Sequence, residues 1–184
     1  ELPWVREARF AGALGLPAAD AQALTASRAL ADYFEAALAA GPGDARQTAN
    51  WITGEVQAAL NRDGVEIEAA PVSAAALGKL LTRIADGTLS GKLAKDVFAA
   101  LWAGEGGADA DAVIAARGLE QISDTGALQA AVHAVIEAHP DQAAQVRAGK
   151  DKVLGFLVGQ VMKATQGKAN PAQVNVLLRA ALGL

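Results

Sequence analysis

The sequence lacks cysteine and long apolar runs, and it is poor in aromatic residues. The absence of cysteine rules out disulfides, zinc–thiolate sites and cysteine nucleophiles. No apolar stretch approaches the roughly 20 residues of a transmembrane helix, and no signal-peptide pattern is present. These absences predict a cytoplasmic protein.

The residue types that are abundant favour helices. Aromatic residues make up only 4% of the 184 positions, and alanine supplies much of the 52% apolar fraction. Alanine is the best helix former, and runs that favour strands are scarce. We therefore predict an all-α fold.

Apolar residues recur at helical spacing between capping signals. In residues 1–19, we expect Trp4, Val5 and Phe10 to pack as a short amphipathic turn. Further along the chain, the pattern predicts helices from Asp20 to about Ala40, from Asp44 to near Asn61, from Ser73 to Gly87, from Ser90 to Gly104, from Asp109 to Arg117 and from Asp124 to Pro140, with a short helical segment up to Ala148.

These helices predict two domains. The first is a helical bundle over residues 1–105, with a lead-in at residues 1–19. Residues 106–119 form a linker with a short helix, because residues 104–109 are rich in glycine. The second is a small three-helix tail domain over residues 120–184. The chain begins without methionine, so we expect it to be part of a longer one.

The last 36 residues predict two helices joined by a basic turn. Gly167 is placed to end the first helix, Asn170 to cap the second and Pro171 to open it. The apolar residues of the first helix form one buried stripe at Val153, Leu154, Leu157, Val158, Val161 and Met162. The second stripe consists of Val174, Leu177, Leu178 and Leu182.

Charge is distributed unevenly along the chain. Residues 141–184 carry six Lys or Arg against two Asp, a balance of +4, so the remainder carries −8 of the total −4. This asymmetry suggests an end that faces a polyanion. An ordinary solvated helix face explains the charge equally simply.

Candidate catalytic groups are few. His133 and His139 are six residues apart, which does not place them on one helical face, and no carboxylate cluster accompanies them. No phosphate loop, nucleophile elbow or HExxH motif occurs. Gly155 and Gly159 form a GxxxG pattern, which we interpret as a close-packing signal. We predict no catalytic residue and no metal site in this chain.

The basic turn between the last two helices is the best candidate site. Lys163 and Lys168 flank a glycine beside a helix N-terminus, where we expect free backbone N–H groups to suit phosphate oxygens. The alternative is a capped helix–turn–helix whose lysines aid solubility. With no aromatic platform nearby, recognition of backbone or shape is favoured over base stacking.

Several segments of the chain resemble a known family. They are Leu89-Ser-Gly-Lys-Leu-Ala-Lys95, Gly118-Leu-Glu-Gln-Ile-Ser-Asp124, Gly155-Phe-Leu-Val-Gly-Gln-Val-Met-Lys163 and Gly167-Lys-Ala-Asn-Pro171, with Leu24-Thr25, Ala31-Asp-Tyr-Phe-Glu35 and Ala49-Asn-Trp51 earlier. In order and spacing these segments resemble the C-terminal half of GatB, one of the subunits of the aspartyl/glutamyl-tRNA(Asn/Gln) amidotransferases, which is related there to the YqeY proteins.

The resemblance implies a function in a multisubunit complex. The family converts Glu-tRNA(Gln) or Asp-tRNA(Asn) to the amide form, together with a glutaminase subunit and a small third subunit. It uses glutamine as the ammonia donor, and it uses ATP with magnesium in an N-terminal domain that this sequence lacks. The resemblance therefore implies that this chain has no cofactor and no activity of its own, and that it holds the tRNA.

The resemblance also directs attention to particular residues. By position, the tRNA contacts of the tail fall on Lys163, Lys168, Asn170, Lys150, Lys152 and Arg179. A rival interpretation is a protein-interaction module whose tail docks an apolar groove onto a partner subunit. Salt dependence separates the two, because only phosphate contacts release counterions. The sequence leaves open which tRNA is served and whether the product is Asn or Gln.

Overall fold

The computed structural model describes residues 1–119 and 125–184, with the backbone alone at residue 125. No β-strand occurs among these residues, so the prediction of an all-α fold is confirmed. The α-helices are α1 (Pro3–Gly12), α2 (Ala18–Leu24), α3 (Arg28–Ala40), α4 (Ala45–Trp51), α5 (Gln57–Asp63), α6 (Ala74–Ala85), α7 (Gly91–Trp102), α8 (Ala110–Arg117), α9 (Thr125–Ala138), α10 (Pro140–Arg147), α11 (Asp151–Ala164) and α12 (Pro171–Leu182).

Short segments of other helical geometry connect some of these elements. A π-helical segment, Ile52–Val56, joins α4 to α5, and 3₁₀ turns occur at Ile67–Ala69 and Glu105–Ala108. Within residues 1–119 and 125–184, no helix combines the length and apolar character needed to cross a membrane.

Side-chain caps set several of the helix starts. The side chain of Asp44 accepts a hydrogen bond from the backbone N–H of Gln47 at 2.9 Å, at the start of α4. The hydroxyl of Ser73 accepts one from the N–H of Ala76 at 3.2 Å, at the start of α6. Such caps satisfy N–H groups that have no partner within the helix. Both predicted helix starts are confirmed.

The predicted single helix over residues 20–40 is wrong. The chain forms α2 and α3 instead, because Ser27 acts as a new N-cap and accepts a hydrogen bond from the N–H of Leu30 at 3.1 Å. The hydroxyl of Thr25 donates to the carbonyl oxygen of Ala21 at 2.8 Å, at the end of α2. Two polar side chains therefore interrupt a stretch whose apolar spacing alone favours a continuous helix.

The expected packing of the first residues is only partly found. Phe10 is fully buried, and its ring meets that of Phe34 edge-on with 4.8 Å between centroids. Trp4 and Val5, which we expected to pack beside it, are 65% and 46% exposed. The reason is the orientation of α1: it turns the face of Arg6 and Phe10 inward, so residues 4 and 5 lie outside.

The chain packs into two units. The first unit consists of residues 1–86 and 94–118, and the second of residues 87–93 and 119–184. This grouping does not test the predicted domain limits near residues 105 and 120, which stay a prediction.

The first unit is built around a close crossing of α3 and α6. A Cβ atom added to Gly78 would lie 2.8 Å from the carbonyl oxygen of Ala37 and from the carbonyl carbon of Ala40. The glycine therefore lets the two helices approach more closely than alanine would allow. The neighbouring Leu77 and Leu80 are fully buried beside this crossing.

The second unit contains four α-helices among the residues that the structure describes, α9 to α12. The predicted number of three covers only the longer helices and omits α10, which begins at Pro140. The predicted start at Asp124 lies outside the described residues. The core of the unit is formed by Leu128, Val132, Val135, Ala143, Val146, Leu154, Leu157, Val161, Ala169, Val174, Leu178 and Leu182.

Candidate nucleic-acid interface

The turn between α11 and α12 opens with a Schellman motif. The N–H of Gly167 donates to the carbonyl oxygen of Met162 at 2.8 Å, and the N–H of Gln166 donates to that of Lys163 at 3.1 Å. Gln166 and Gly167 both have positive φ, +56° and +76°. Gly167 thus takes part in ending the helix, but the first left-handed position is Gln166, which the sequence did not indicate.

The N-terminus of α12 is fully capped, which corrects the expectation of free N–H groups there. The side chain of Asn170 accepts from the N–H of Ala172 at 2.9 Å and from that of Gln173 at 3.4 Å. The N–H of Val174 donates to the carbonyl oxygen of Asn170, and Pro171 has no N–H. Attraction of phosphate at this turn must therefore come from side-chain charge rather than from helix-end donors.

The structure places the six predicted contact residues in two groups. We name Lys163, Lys168 and Asn170 the turn cluster, and Lys150, Lys152 and Arg179 the distal cluster. Nη2 of Arg179, near the end of α12, lies 3.8 Å from Oδ1 of Asp151, the first residue of α11. The two helices therefore run in opposite directions, and the clusters lie about 16 Å apart along α11, at 1.5 Å per residue.

The cationic side chains of both clusters are available to a ligand. Lys150, Lys152, Lys163 and Arg179 are exposed, and Lys168 is half-buried. Arg179 donates from Nε to the side-chain oxygen of Asn175 at 3.1 Å, in addition to its approach to Asp151. None of the four lysines lies within 4.0 Å of a carboxylate oxygen in the described residues.

Lys92 is a further lysine near the turn, which sequence reasoning missed. It is exposed in the first turn of α7, in the part of the chain that belongs to the second unit. A Cβ atom added to Gly167 would lie 3.6 Å from Nζ of Lys92. The motif around Lys92 was visible in the sequence, but no local signal relates it to a turn so far along the chain.

Phe156 is a second residue that sequence reasoning missed. It is 44% exposed, and its ring meets that of His139 edge-on with 5.3 Å between centroids. An exposed aromatic ring therefore does lie on α11, contrary to the expectation that no aromatic platform is near the turn. Helical spacing was the available signal, because Phe156 falls outside the buried stripe of α11.

The two units differ in how their cationic side chains are paired. In the first unit, every Lys and Arg except Arg46 lies within 4.0 Å of a carboxylate oxygen; the pairs include Arg83 with Asp111 at 2.7 Å and Lys95 with Glu55 at 2.6 Å. In the described part of the second unit, only Arg179 has such a partner. Uncompensated charge is thus concentrated in the second unit.

The chain offers no arrangement suited to a metal or nucleotide. Within residues 1–119 and 125–184, no three His, Asp or Glu side chains are grouped so that they would hold a metal ion. His133 is exposed, and His139 contacts Phe156 rather than a carboxylate. The residues that the structure describes do not fit ATP with magnesium, so we derive no chemical step through that group.

The fold and the charge distribution define an all-α protein with an open cationic surface in its second unit, a class suited to binding polyanions. A family model described as the GatB domain matches residues 32–182. The chain belongs to this family, which confirms the resemblance found in the sequence.

Individual relatives agree with this assignment. The chain is 60% identical over 184 residues to the GatB subunit of the aspartyl/glutamyl-tRNA(Asn/Gln) amidotransferase of Bordetella parapertussis, which covers 100% of this chain and 38% of that protein. It is 58% identical over 179 residues to the same subunit of Thioalkalivibrio sulfidiphilus, covering 97% of this chain and 37% of that protein. The chain therefore spans well under half the length of these curated relatives.

Proposed function

We propose that this chain is the tRNA-holding part of a GatB subunit and has no catalytic role of its own. The relatives are named as subunits of a tRNA amidotransferase, and the chain corresponds to only part of their length. The proposed role is to position the tRNA body, while the chemistry takes place in another part of the longer protein.

The observation that carries this proposal is the difference in ion pairing between the units. Cations that already face carboxylates gain little from a phosphate, whereas unpaired lysines release counterions when they meet one. The turn cluster and the distal cluster provide such lysines at two places about 16 Å apart on α11. Contacts of this kind position a nucleic acid without reading its bases.

We propose the same reaction for the longer protein as the resemblance implies. With a glutaminase subunit and a small third subunit, it would convert Glu-tRNA(Gln) or Asp-tRNA(Asn) to Gln-tRNA(Gln) or Asn-tRNA(Asn). The ATP and magnesium of that reaction would bind outside this chain, and the complex would work in the cytoplasm, where charged tRNA is used.

The experiment that tests the proposal is a titration of the 184-residue chain with a tRNA transcript at several salt concentrations. We expect binding that falls steeply with salt, because each neutralised phosphate adds about 0.7 to 0.9 to the slope of log K against log salt. Binding that is absent, or that does not change with salt, would overturn the proposal.

A pair of matched variants then locates the contact. Replacing Lys163 and Lys168 together by alanine is expected to weaken tRNA binding and to lower the salt slope by about 1 per lysine that touches phosphate. The control replaces Lys79 and Lys95, exposed lysines of the first unit that already face Asp109 and Glu55. Both variants lose two positive charges, so equal losses of binding would mean that net charge matters and not the site.

A protein-docking role is a second candidate, and one observation favours it. Leu2, Trp4 and Val5 are all exposed at the start of α1, where they form an apolar surface with nothing packed on it. A partner subunit that covers this surface would bind with little dependence on salt. Replacing Trp4 by alanine would then weaken assembly with the partner subunits and leave tRNA binding unchanged.

A further inference from the structure

The outer face of α11 combines charge with an exposed aromatic ring. Lys152, Phe156, Gly159 and Lys163 are spaced at four, three and four residues, so they lie on one side of the helix. That side is opposite the buried residues Leu154, Leu157 and Val161. We name these four residues, with Gly155 beside them, the outer face.

The packing of this chain does not account for the outer face. Gly155 and Gly159 occupy helix-interior positions, where glycine is less favourable than alanine, yet a Cβ atom added to either would meet nothing within 4 Å. Phe156 is 44% exposed and contributes little to the core. The glycines leave the space beside the aromatic ring open to a ligand.

The charge of the outer face indicates what kind of ligand fits. Lys152 and Lys163 stand at its two ends, and neither has a carboxylate partner in the described residues. The only acidic residue of α11 is Asp151, which lies beside the face and approaches Arg179. A surface with unpaired lysines around an aromatic ring suits a nucleic-acid strand, whose phosphates meet the lysines while a base stacks on the ring.

We propose that the outer face of α11 holds an unstacked segment of tRNA, with Phe156 stacking on an unpaired base between phosphates bound by Lys152 and Lys163. This inference rests on the proposed tRNA-holding function and adds to it a defined surface and a positioning residue. Phe156 is expected to favour tRNA with unpaired loops over a continuous duplex, in which the bases are already stacked.

The first test compares Phe156→Ala with Val176→Ala, in which another exposed apolar side chain of the same unit is shortened. Both variants are titrated with a tRNA transcript and with a continuous RNA duplex, after circular dichroism has shown that they are folded. We expect Phe156→Ala to weaken tRNA binding by roughly 5- to 100-fold, the range of one base–aromatic stack. Its binding to the duplex, and both affinities of Val176→Ala, should match the parent.

The second test places a negative charge on the outer face. Gly159→Glu is compared with Gly159→Gln, which has nearly the same shape without the charge, and with Ala180→Glu, at an exposed position of α12. We expect Gly159→Glu to weaken tRNA binding at least tenfold relative to Gly159→Gln. Ala180→Glu should have a smaller effect, because only the charge on the outer face would lie against phosphate.

The outcomes separate this inference from the function on which it rests. If the parent chain shows no salt-dependent binding of tRNA, both the function and the inference are overturned. If the parent binds but Phe156→Ala and Gly159→Glu bind equally well, tRNA holding survives and the outer face is the wrong surface. A loss of affinity in Phe156→Ala that is equal for tRNA and duplex would overturn the stacking role.

Discussion

The hydroxyl of Tyr33, on α3, donates a hydrogen bond to the carbonyl oxygen of Val72 at 2.9 Å. Val72 is fully buried and precedes α6, so this bond joins α3 to the segment that leads into its packing partner. Burial raises the pKa of Tyr33, since the charged phenolate is poorly solvated inside the protein. The proton is therefore held more tightly in the folded state than in the unfolded chain.

We predict that Tyr33 makes stability depend on alkaline pH. A raised folded pKa means that the contribution is complete below the unfolded value of about 10 and is lost as pH rises above it. Tyr33 is the one tyrosine of the sequence, so its phenolate absorbance reports this ionisation directly. We expect the absorbance to rise only above the normal range, together with unfolding; ionisation near pH 10 in the folded state would contradict this.

The control for this prediction is Tyr33→Phe. It removes the titrating group, so the loss of stability above pH 10 should become smaller. At neutral pH it should lower the free energy of unfolding by about 1 kcal/mol, because the Val72 carbonyl loses its donor. Urea unfolding at neutral and alkaline pH measures both effects.

Two glycines allow a matched prediction about packing. Gly78→Ala should lower the free energy of unfolding by about 1 to 3 kcal/mol, because the new methyl group would clash with backbone atoms of α3. Gly155→Ala should instead raise it by about 0.5 to 1 kcal/mol, because that position is open and alanine is the better helix former. Urea unfolding of both variants checks the signs; destabilisation by Gly155→Ala would show that its surroundings are not open.

Asn170 allows its capping role to be separated from its place in the turn cluster. Asn170→Ala removes the cap of α12 and should lower stability by about 1 kcal/mol. Asn170→Asp keeps an acceptor oxygen at the helix N-terminus, where negative charge is favourable, so we expect stability close to that of the parent.

The Asp variant should nevertheless weaken tRNA binding, because it places a carboxylate beside Lys168 at the proposed phosphate contact. Urea unfolding and tRNA titration of the two variants measure these properties separately. Unchanged tRNA affinity in Asn170→Asp would show that no phosphate comes close to the turn.

Features set by neighbouring residues were predictable from the sequence. The caps at Asp44, Ser73 and Asn170 were predicted because each side chain acts on N–H groups two or three positions away. The break before α3 was missed because apolar spacing was given more weight than the capping ability of Ser27. That signal was local, and more weight on polar residues inside the helix would have found it.

Features that depend on distant residues were not predictable in this way. The sequence indicated free N–H groups at α12, but their occupation by Asn170 depends on the conformation of the turn. The approach of Lys92 to Gly167 joins residues far apart in the chain, and no spacing rule relates them. The separation of the six predicted contact residues into two clusters likewise follows from the antiparallel packing of α11 and α12.

The unequal pairing of charges gives the two units different responses to electrolyte. In the first unit, added salt screens attractions between partners, so it weakens a small stabilising contribution. In the second unit, the lysines have mainly one another as charged neighbours, so the same salt relieves their mutual repulsion. An ionic strength that releases bound RNA would therefore also make the free second unit more stable, and emptying this surface would not leave it prone to unfold.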